Sequence, residues 1–239
     1  APAADPALTE QLRQGFAWQY PAASLAAVPA KVSVTSIVHK REQTTLERPG
    51  FLSKDGLTAA EMGTALHAFL EHADFAALAA AKQAGTLDEA IAAERQRQVS
   101  AQLVAPEIAE KLDVSRIRRF AEGEVFAKIC AAQQVLRELA FITALPAAEV
   151  LAAQGSPAPD TAPEAQVLVQ GIADLVLVYP DHLELLDYKT DRRKTAADFV
   201  RAYKPQLDLY ALAVGKRFAP KPVTYKGIYS LELGRLIEV

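Results

Sequence analysis

The chain has 239 residues, 51% of them hydrophobic, and a formal charge of −3. That length suits one large domain or two small ones, no apolar run is long enough to span a bilayer, and any nucleic-acid contact must come from local basic patches rather than a global field. Cys130 is the single cysteine, which excludes an intrachain disulfide, a Cys-rich zinc site and a Cys-ligated iron–sulfur cluster within this chain.

The first residues, Ala-Pro-Ala-Ala-Asp, carry neither a basic n-region nor an apolar h-region, so no signal peptide is read there. Without an initial Met the chain is expected to be a piece of a longer polypeptide. Residues 1–30 hold a short helical candidate, Ala7 to Phe16, and then an Ala/Pro-containing segment; together they read as a connector. Lys31 to His39 is either a short strand or a helix start at Ser33 or Thr35. Gln43 to Asp55, polar and holding Pro49 and Gly50, reads as a loop. Leu57 to Met62 is the best helix start: Thr58 and Glu61 form a capping box, with Leu57 and Met62 as a hydrophobic staple. The helix is expected to run to about Lys82 on an apolar face of Leu66, Phe69, Leu70 and Ala73, and to end at Gly85.

Leu87 to Leu112 is a second helical stretch, interrupted by Pro106. Ser115 to Ala131 is a third, carrying Arg116, Arg118 and Arg119. Leu136 to Leu145 reads as a strand. Pro146 to Pro163 is nearly featureless and is expected to be a surface loop or insertion. Val167 to Tyr179 and Leu183 to Thr190 are two strands around a Pro180-Asp181 turn. Thr195 to Phe218 is a helix with Pro205 as a possible disturbance, and Val223 to Leu233 returns as a strand. This order predicts an α/β or α+β layer arrangement.

The hairpin carries the chemistry. A loop symmetric about Pro180 and Asp181 puts Asp174 opposite Asp187, with Cβ atoms roughly 4.5–5.5 Å apart. Lys189 shares that face and Tyr188 does not. Opposed carboxylates repel, and Asp174 interrupts an otherwise apolar run, where a charge is costly unless paired or metal-bound. A salt-bridged strand pair is the bland alternative. A site for Mg²⁺ or Mn²⁺ fits better: both favour oxygen ligands, and Lys189 could position water or neutralise a phosphate.

Other candidates are weaker alone. Glu138 lies on the preceding strand. His67 sits on the capped helix, one turn before Glu71 on the same face. Gln206 and Tyr210 lie four apart on the helix after the hairpin. As packed or solvated residues they need no further explanation. Beside a metal, Gln206 could face the carboxylates and hold DNA, and Arg192, Arg193 and Lys194 could contact phosphates.

Gly171-Ile172-Ala173-Asp174, then Leu186-Asp187-Tyr188-Lys189-Thr190, then Tyr203-x-x-Gln206-Leu207-x-x-Tyr210, resembles the RecB-type branch of the PD-(D/E)XK nucleases. Gly63-Thr64-Ala65-Leu66-His67 is similar to that branch's histidine motif. Ala30 to Thr35, Arg48 to Phe51 and Leu57 to His67 resemble the C-terminal nuclease region of the AddA-type helicase–nucleases, so the resemblance covers the chain from about residue 30. It implies a restriction-endonuclease-like αβββαβ core, a mixed sheet flanked by helices, with additional N-terminal helices. Residues 31–239 would be the nuclease domain, and 1–30 a connector from a helicase region upstream.

The resemblance also implies Mg²⁺-dependent hydrolysis of unwound, single-stranded DNA during double-strand-break processing, with an AddB-like partner, in the bacterial cytoplasm. Mn²⁺ could replace Mg²⁺. By the same resemblance His67, Asp174 and Asp187 would bind metal and Lys189 would be the catalytic lysine. Glu138 would be a further acidic site residue, and Gln206 and Tyr210 the accessory motif. There is no GxxxxGK[ST] loop, so no ATPase is expected within the chain. The alternatives are a non-catalytic DNA-end-binding or partner-docking module on the same fold, and a stand-alone RecB-like exonuclease.

Overall fold

The structure is a computed structural model. It describes residues 5–18, 25–26, 28–34, 59–157, 164–191 and 194–239, the side chains of 59–62 and 64 excepted. Helix α1 (Pro6–Ala17) starts on the Asp5 side chain, which accepts from the Ala7 N–H, and it buries none of its residues. Strand β1 (Lys31–Ser33) follows. Next come six helices: α2 (Ala59–His72), α3 (Phe75–Ala84), α4 (Leu87–Ser100), α5 (Pro106–Glu110), α6 (Val114–Glu122) and α7 (Glu124–Ala131). The remainder is β2 (Gln134–Pro146), α8 (Ala147–Ala153), β3 (Gln166–Val178), β4 (Leu183–Lys189), α9 (Ala196–Arg217), β5 (Val223–Ser230) and β6 (Arg235–Glu238). The expected αβββαβ order is present: a mixed sheet flanked by helices, with extra helices between α2 and β2. No helix among the described residues is long and apolar enough to cross a membrane.

Strand β3 is the hub of the sheet. β2 runs antiparallel to it from Gln134↔Val178 to Pro146↔Gln166 and so takes one edge. Two strands share the other edge. β1 is parallel to it from Lys31↔Leu168 to Ser33↔Gln170, and β4 is antiparallel from Leu175↔Leu186 to Val178↔Leu183. Between Gln170 and Leu175 that edge has neither partner, and the sheet splits there. β4 continues into parallel β5, which turns back into β6.

Each face of the sheet has its own core. Leu183, Leu185, Val176 and Val178 pack with Phe199, Tyr203, Leu207 and Val214 of α9. Leu175, Leu177, Leu186 and Tyr188 pack with Phe69, Phe120 and Phe126 of the helical layer. β4 is buried on both faces, so it reads as an unbroken apolar run. The alternation of side chains slips one step at the split. Ala173 packs on the α9 side and so does Val176, although alternation would place them on opposite faces. β2 slips at the same level: Glu138 takes a positive φ of 46° and is skipped in the ladder between Arg137↔Leu175 and Leu139↔Ala173. Paired irregularities of this kind re-aim side chains. Here they turn Glu138 and Asp174 into the split.

Several element boundaries differ from the sequence reading. The helix expected to reach Lys82 breaks at Ala73. Asp74 caps α3 by accepting from Ala77 N, and Arg97 and Arg137 donate to the His72, Leu70 and Ala73 carbonyls that end α2. Gly85 does end the second piece, in the left-handed conformation at φ 75°. Ser115 to Ala131 is two helices, because Gly123 is extended between them. Pro146 to Pro163 is not all loop: α8 buries Val150 and Leu151. The last strand divides into β5 and β6 around Gly234, at φ 63°. Val34 leaves β1 in helical conformation. The remainder of the 35–39 segment, the 43–55 loop, and the Thr58–Glu61 and Leu57–Met62 side-chain pairs lie outside the described residues.

Candidate active site

The hairpin register is the expected one. The pairs Leu177↔Glu184 and Leu175↔Leu186 place Asp187 next in line opposite Asp174. The ladder stops there, and the Asp174 side chain replaces it: its Oδ2 accepts from Tyr188 N at 2.8 Å. His67 reaches the same residue from α2, with Nε2 3.1 Å from the Tyr188 carbonyl. A carbonyl only accepts, so Nε2 carries a proton, and the tautomer this bond selects has its lone pair on Nδ1. Nδ1 lies 3.7 Å from Asp174 Oδ2. The backbone of one residue thus orients both groups, while the Tyr188 ring goes to the helical core and meets His67 edge-on at 5.7 Å. Gly63 lets α2 come this close, since a Cβ there would stand 2.6 Å from the Thr190 hydroxyl.

Glu138 completes the cluster. His67, Glu138 and Asp174 each bring one ligand atom, and these atoms lie within 4.8 Å of one another. Burial pushes the Glu138 carboxyl up to about 7, and Asp174, Glu71 and Asp187 add to the shift by repulsion. Crowded carboxylates around a lone-pair nitrogen form a donor set that a hard divalent cation would relieve.

Asp187 is not in that triad, which differs from the expected set of His67, Asp174 and Asp187. It is 1% exposed and held from behind. Oδ1 accepts from Gln206 Nε2 at 3.2 Å. Oδ2 stands 2.5 Å from Lys189 Nζ as an ion pair without hydrogen-bond alignment. Burial raises the Asp187 carboxyl, Asp174 raises it further, and Lys189 opposes both. Burial acts to lower the Lys189 ammonium, but Asp187 and Asp174 outweigh it and hold its pKa above the ordinary value. The ammonium therefore keeps its charge. Oδ2 of Asp187 and Oε1 of Gln206 are both buried without a hydrogen-bond partner, so each has room for a new one.

Gln206 is 4% exposed and also donates to the Tyr210 hydroxyl at 3.0 Å. Its Nε2 therefore holds Asp187, while its Oε1 has no hydrogen-bond partner in the cleft lining. Tyr210 stacks edge-on against Phe141 at 5.5 Å. Both rings press on Gly171, where a Cβ would lie 2.8 Å from Phe141 and 2.9 Å from Tyr210. That contact explains the glycine three residues before Asp174. Lys194 is paired with Asp191 and reaches the Tyr203 hydroxyl at 3.3 Å. Arg192 and Arg193 lie outside the described residues. The sequence reading did not assign Asp191 or Tyr203 a site role, although Tyr203 opens the Tyr203-x-x-Gln206-Leu207-x-x-Tyr210 motif.

The split in the sheet opens as a cleft of about 540 Å³. Ser33 and Gln170 line it at the β1 end, Lys189 at the β4 end, and Glu138, Asp174 and His67 between them. It can place a cation against the carboxylates and an anion beside the lysine.

Comparison with known proteins agrees with this geometry. The family described as the PD-(D/E)XK nuclease superfamily matches residues 39–234. An ATP-dependent helicase/nuclease from Desulforamulus reducens is 30% identical over 100% of this chain and 19% of its own length. The protein of that name from Moorella thermoacetica is 35% identical over 87% of this chain and 15% of its own. The one from Pelotomaculum thermopropionicum is 33% identical over 95% and 18%. The chain therefore spans less than a fifth of these relatives.

Proposed function

The chain belongs to the PD-(D/E)XK nuclease superfamily, whose members cut with a divalent metal, and from that premise we propose that it hydrolyses single-stranded DNA with Mg²⁺. The observation that carries the reading is the convergence of His67, Glu138 and Asp174 along the split edge of β3, with Lys189 facing them. His67 Nδ1, Asp174 and Glu138 would hold the ion, joined by the Oδ2 of Asp187. When bound, the ion would make water easier to ionise and stabilise charge on phosphoryl oxygen. Mn²⁺ would serve in its place, since the donors are oxygens and one imidazole.

The chain's own groups do the rest. Lys189 carries a fixed positive charge into an otherwise acidic cleft, where it offsets the scissile phosphate and orients the attacking water. Gln206 holds Asp187 in place by its amide, and Tyr210 holds Gln206. His67 is fixed by the Tyr188 carbonyl, as ligating histidines require. Lys194, and Arg192 and Arg193 beside it, are suited to the DNA backbone.

The similarity to ATP-dependent helicase/nucleases supports an ATP-driven helicase in the same polypeptide, and we extend the proposal to end processing at double-strand breaks. An AddB-like partner and the bacterial cytoplasm are part of the same proposal.

Asp187→Asn is expected to abolish Mg²⁺-dependent cleavage of single-stranded DNA with an unchanged circular dichroism spectrum, as EDTA does for the unaltered protein. Undiminished cutting by that variant would overturn the assignment. Lys189→Ala should bind Mn²⁺ and DNA normally yet cut about 10²–10⁴-fold more slowly. Weakened metal binding instead would show that the lysine's role is misassigned.

A further inference from the structure

We propose that Tyr203 is a positioning residue for Lys189, its ring serving as the seat that keeps the ammonium in the cleft when Asp187 turns to the metal. The inference rests on the nuclease reading above and concerns a residue that reading does not use. Lys189 has two close partners. One is Asp187 Oδ2 at 2.5 Å. The other is the face of Tyr203, whose centroid is 4.7 Å from Nζ, well inside the range of a cation–π contact.

These two partners differ in what happens to them. Asp187 has an oxygen with no aligned hydrogen bond, and a cation in the cleft would draw it away. Lys189 would then lose its nearest counter-charge, with Asp174 and Asp191 acting from farther away, and would be free to follow Asp187 or the cation's field. A ring cannot be drawn away. Tyr203 is 3% exposed and packs against Phe199 at 6.1 Å. Its hydroxyl donates to both oxygens of Asp191, at 2.8 and 2.9 Å. Asp191 is itself paired with Lys194, whose ammonium lies 4.8 Å from the same ring. The ring is thus pinned at its hydroxyl end, and the Asp191–Lys194 pair there is balanced in charge. The ring draws both ammonium groups, and because Lys194 also has Asp191, the ring is the fixed attraction that remains for Lys189. Aromatic faces hold desolvated ammonium groups more strongly than exposed ones, and Lys189 is 18% exposed.

The test replaces Tyr203 in the intact protein by phenylalanine and then by mono-, di- and trifluorinated phenylalanine, which empty the π face of charge at nearly constant volume. With Mg²⁺ and single-stranded DNA, kcat should stay within threefold of the unaltered enzyme for phenylalanine. It should then fall stepwise with each fluorine, to tenfold or more, while KM and the affinity for DNA in Ca²⁺ stay constant. Separately, in the metal-free protein, the Lys189 ε-methylene NMR signal should lie upfield through the ring current. It should remain so in Tyr203→Phe and return to the free-lysine position in Tyr203→Leu.

A flat kcat across the fluorinated series, or an unshifted ε-methylene in the unaltered protein, overturns the proposal. Lys189→Ala is assayed alongside. Full activity in that variant would mean that the role given to Lys189 in the proposed function has failed, a different result from a flat series in an enzyme that needs its lysine.

Discussion

Asp174 shows what the site costs the residues that build it. A half-buried carboxylate faces Glu138 and Asp187, and the three repel. Its Oδ2 is nevertheless needed by Tyr188 N, and asparagine can keep that bond while losing the charge. Asp174→Asn should therefore raise the melting temperature of the metal-free protein. It should also erase the stabilisation that Mn²⁺ gives the unaltered protein, about 2.7 kcal/mol at a hundred times its Kd. Calorimetry with and without Mn²⁺ reads both, and a variant still stabilised by Mn²⁺ would remove Asp174 from the ligand set. Gly171→Ala is the matching test of packing. The new methyl meets two rings under 3.0 Å away, so a loss of about 1–3 kcal/mol is expected in urea denaturation. At this scale the sequence was informative where a motif fixed the spacing, as with His67, Asp187 and Lys189. Asp191 and Tyr203 escaped it because their meeting depends on how α9 is rotated on the sheet, which no local pattern encodes. Gln206 was expected to face the carboxylates, and its Nε2 does reach Asp187.

The elements were legible in kind but not always in extent. β3, β4 and α9 announce themselves by apolar runs, and the structure adds a Thr195–Asp198 capping box at the start of α9. The break between α2 and α3 does not, because tertiary partners impose it. Glu94, 6% exposed on α4, accepts from Asp74 N at 3.2 Å, from Gln98 at 2.7 Å and from Arg97 at 2.7 Å. Burial acts to raise its carboxyl, but the bonds to Arg97, Gln98 and Asp74 prevail and hold it below 4.5. A carboxyl depressed in the folded state adds stability that is fully present above its unfolded pKa and is lost as pH falls through the folded one. Glu94→Gln should therefore cost about 2 kcal/mol near neutrality. The difference from the unaltered protein should shrink below pH 4.5, where urea melts at several pH values would show it. A pH-independent difference would mean that packing, not charge, carries the effect.

The described residues keep the order that the sequence announced, helices and then three strands, a helix and a strand, with short β1 before the helices, α8 between β2 and β3, and the last strand divided in two. What the sequence could not show is that β1 and β4 share one edge of β3 and leave a stretch of it to neither. Pairing is a property of strands that meet across most of the chain, and short β1 gives little pattern to read. The split edge has a consequence in time. His67 and Tyr188 touch across 121 positions, and β1 joins β3 across a similarly long loop. Contacts of that range close late, because the chain must first bear the entropy of the large loop. The β2–β3–β4 meander is local and can form early. The cleft should be among the last features to appear. In stopped-flow refolding with Mn²⁺, ion uptake should follow the slowest phase, after most of the strand signal has returned. A nascent chain would then gain its secondary structure while still unable to cut.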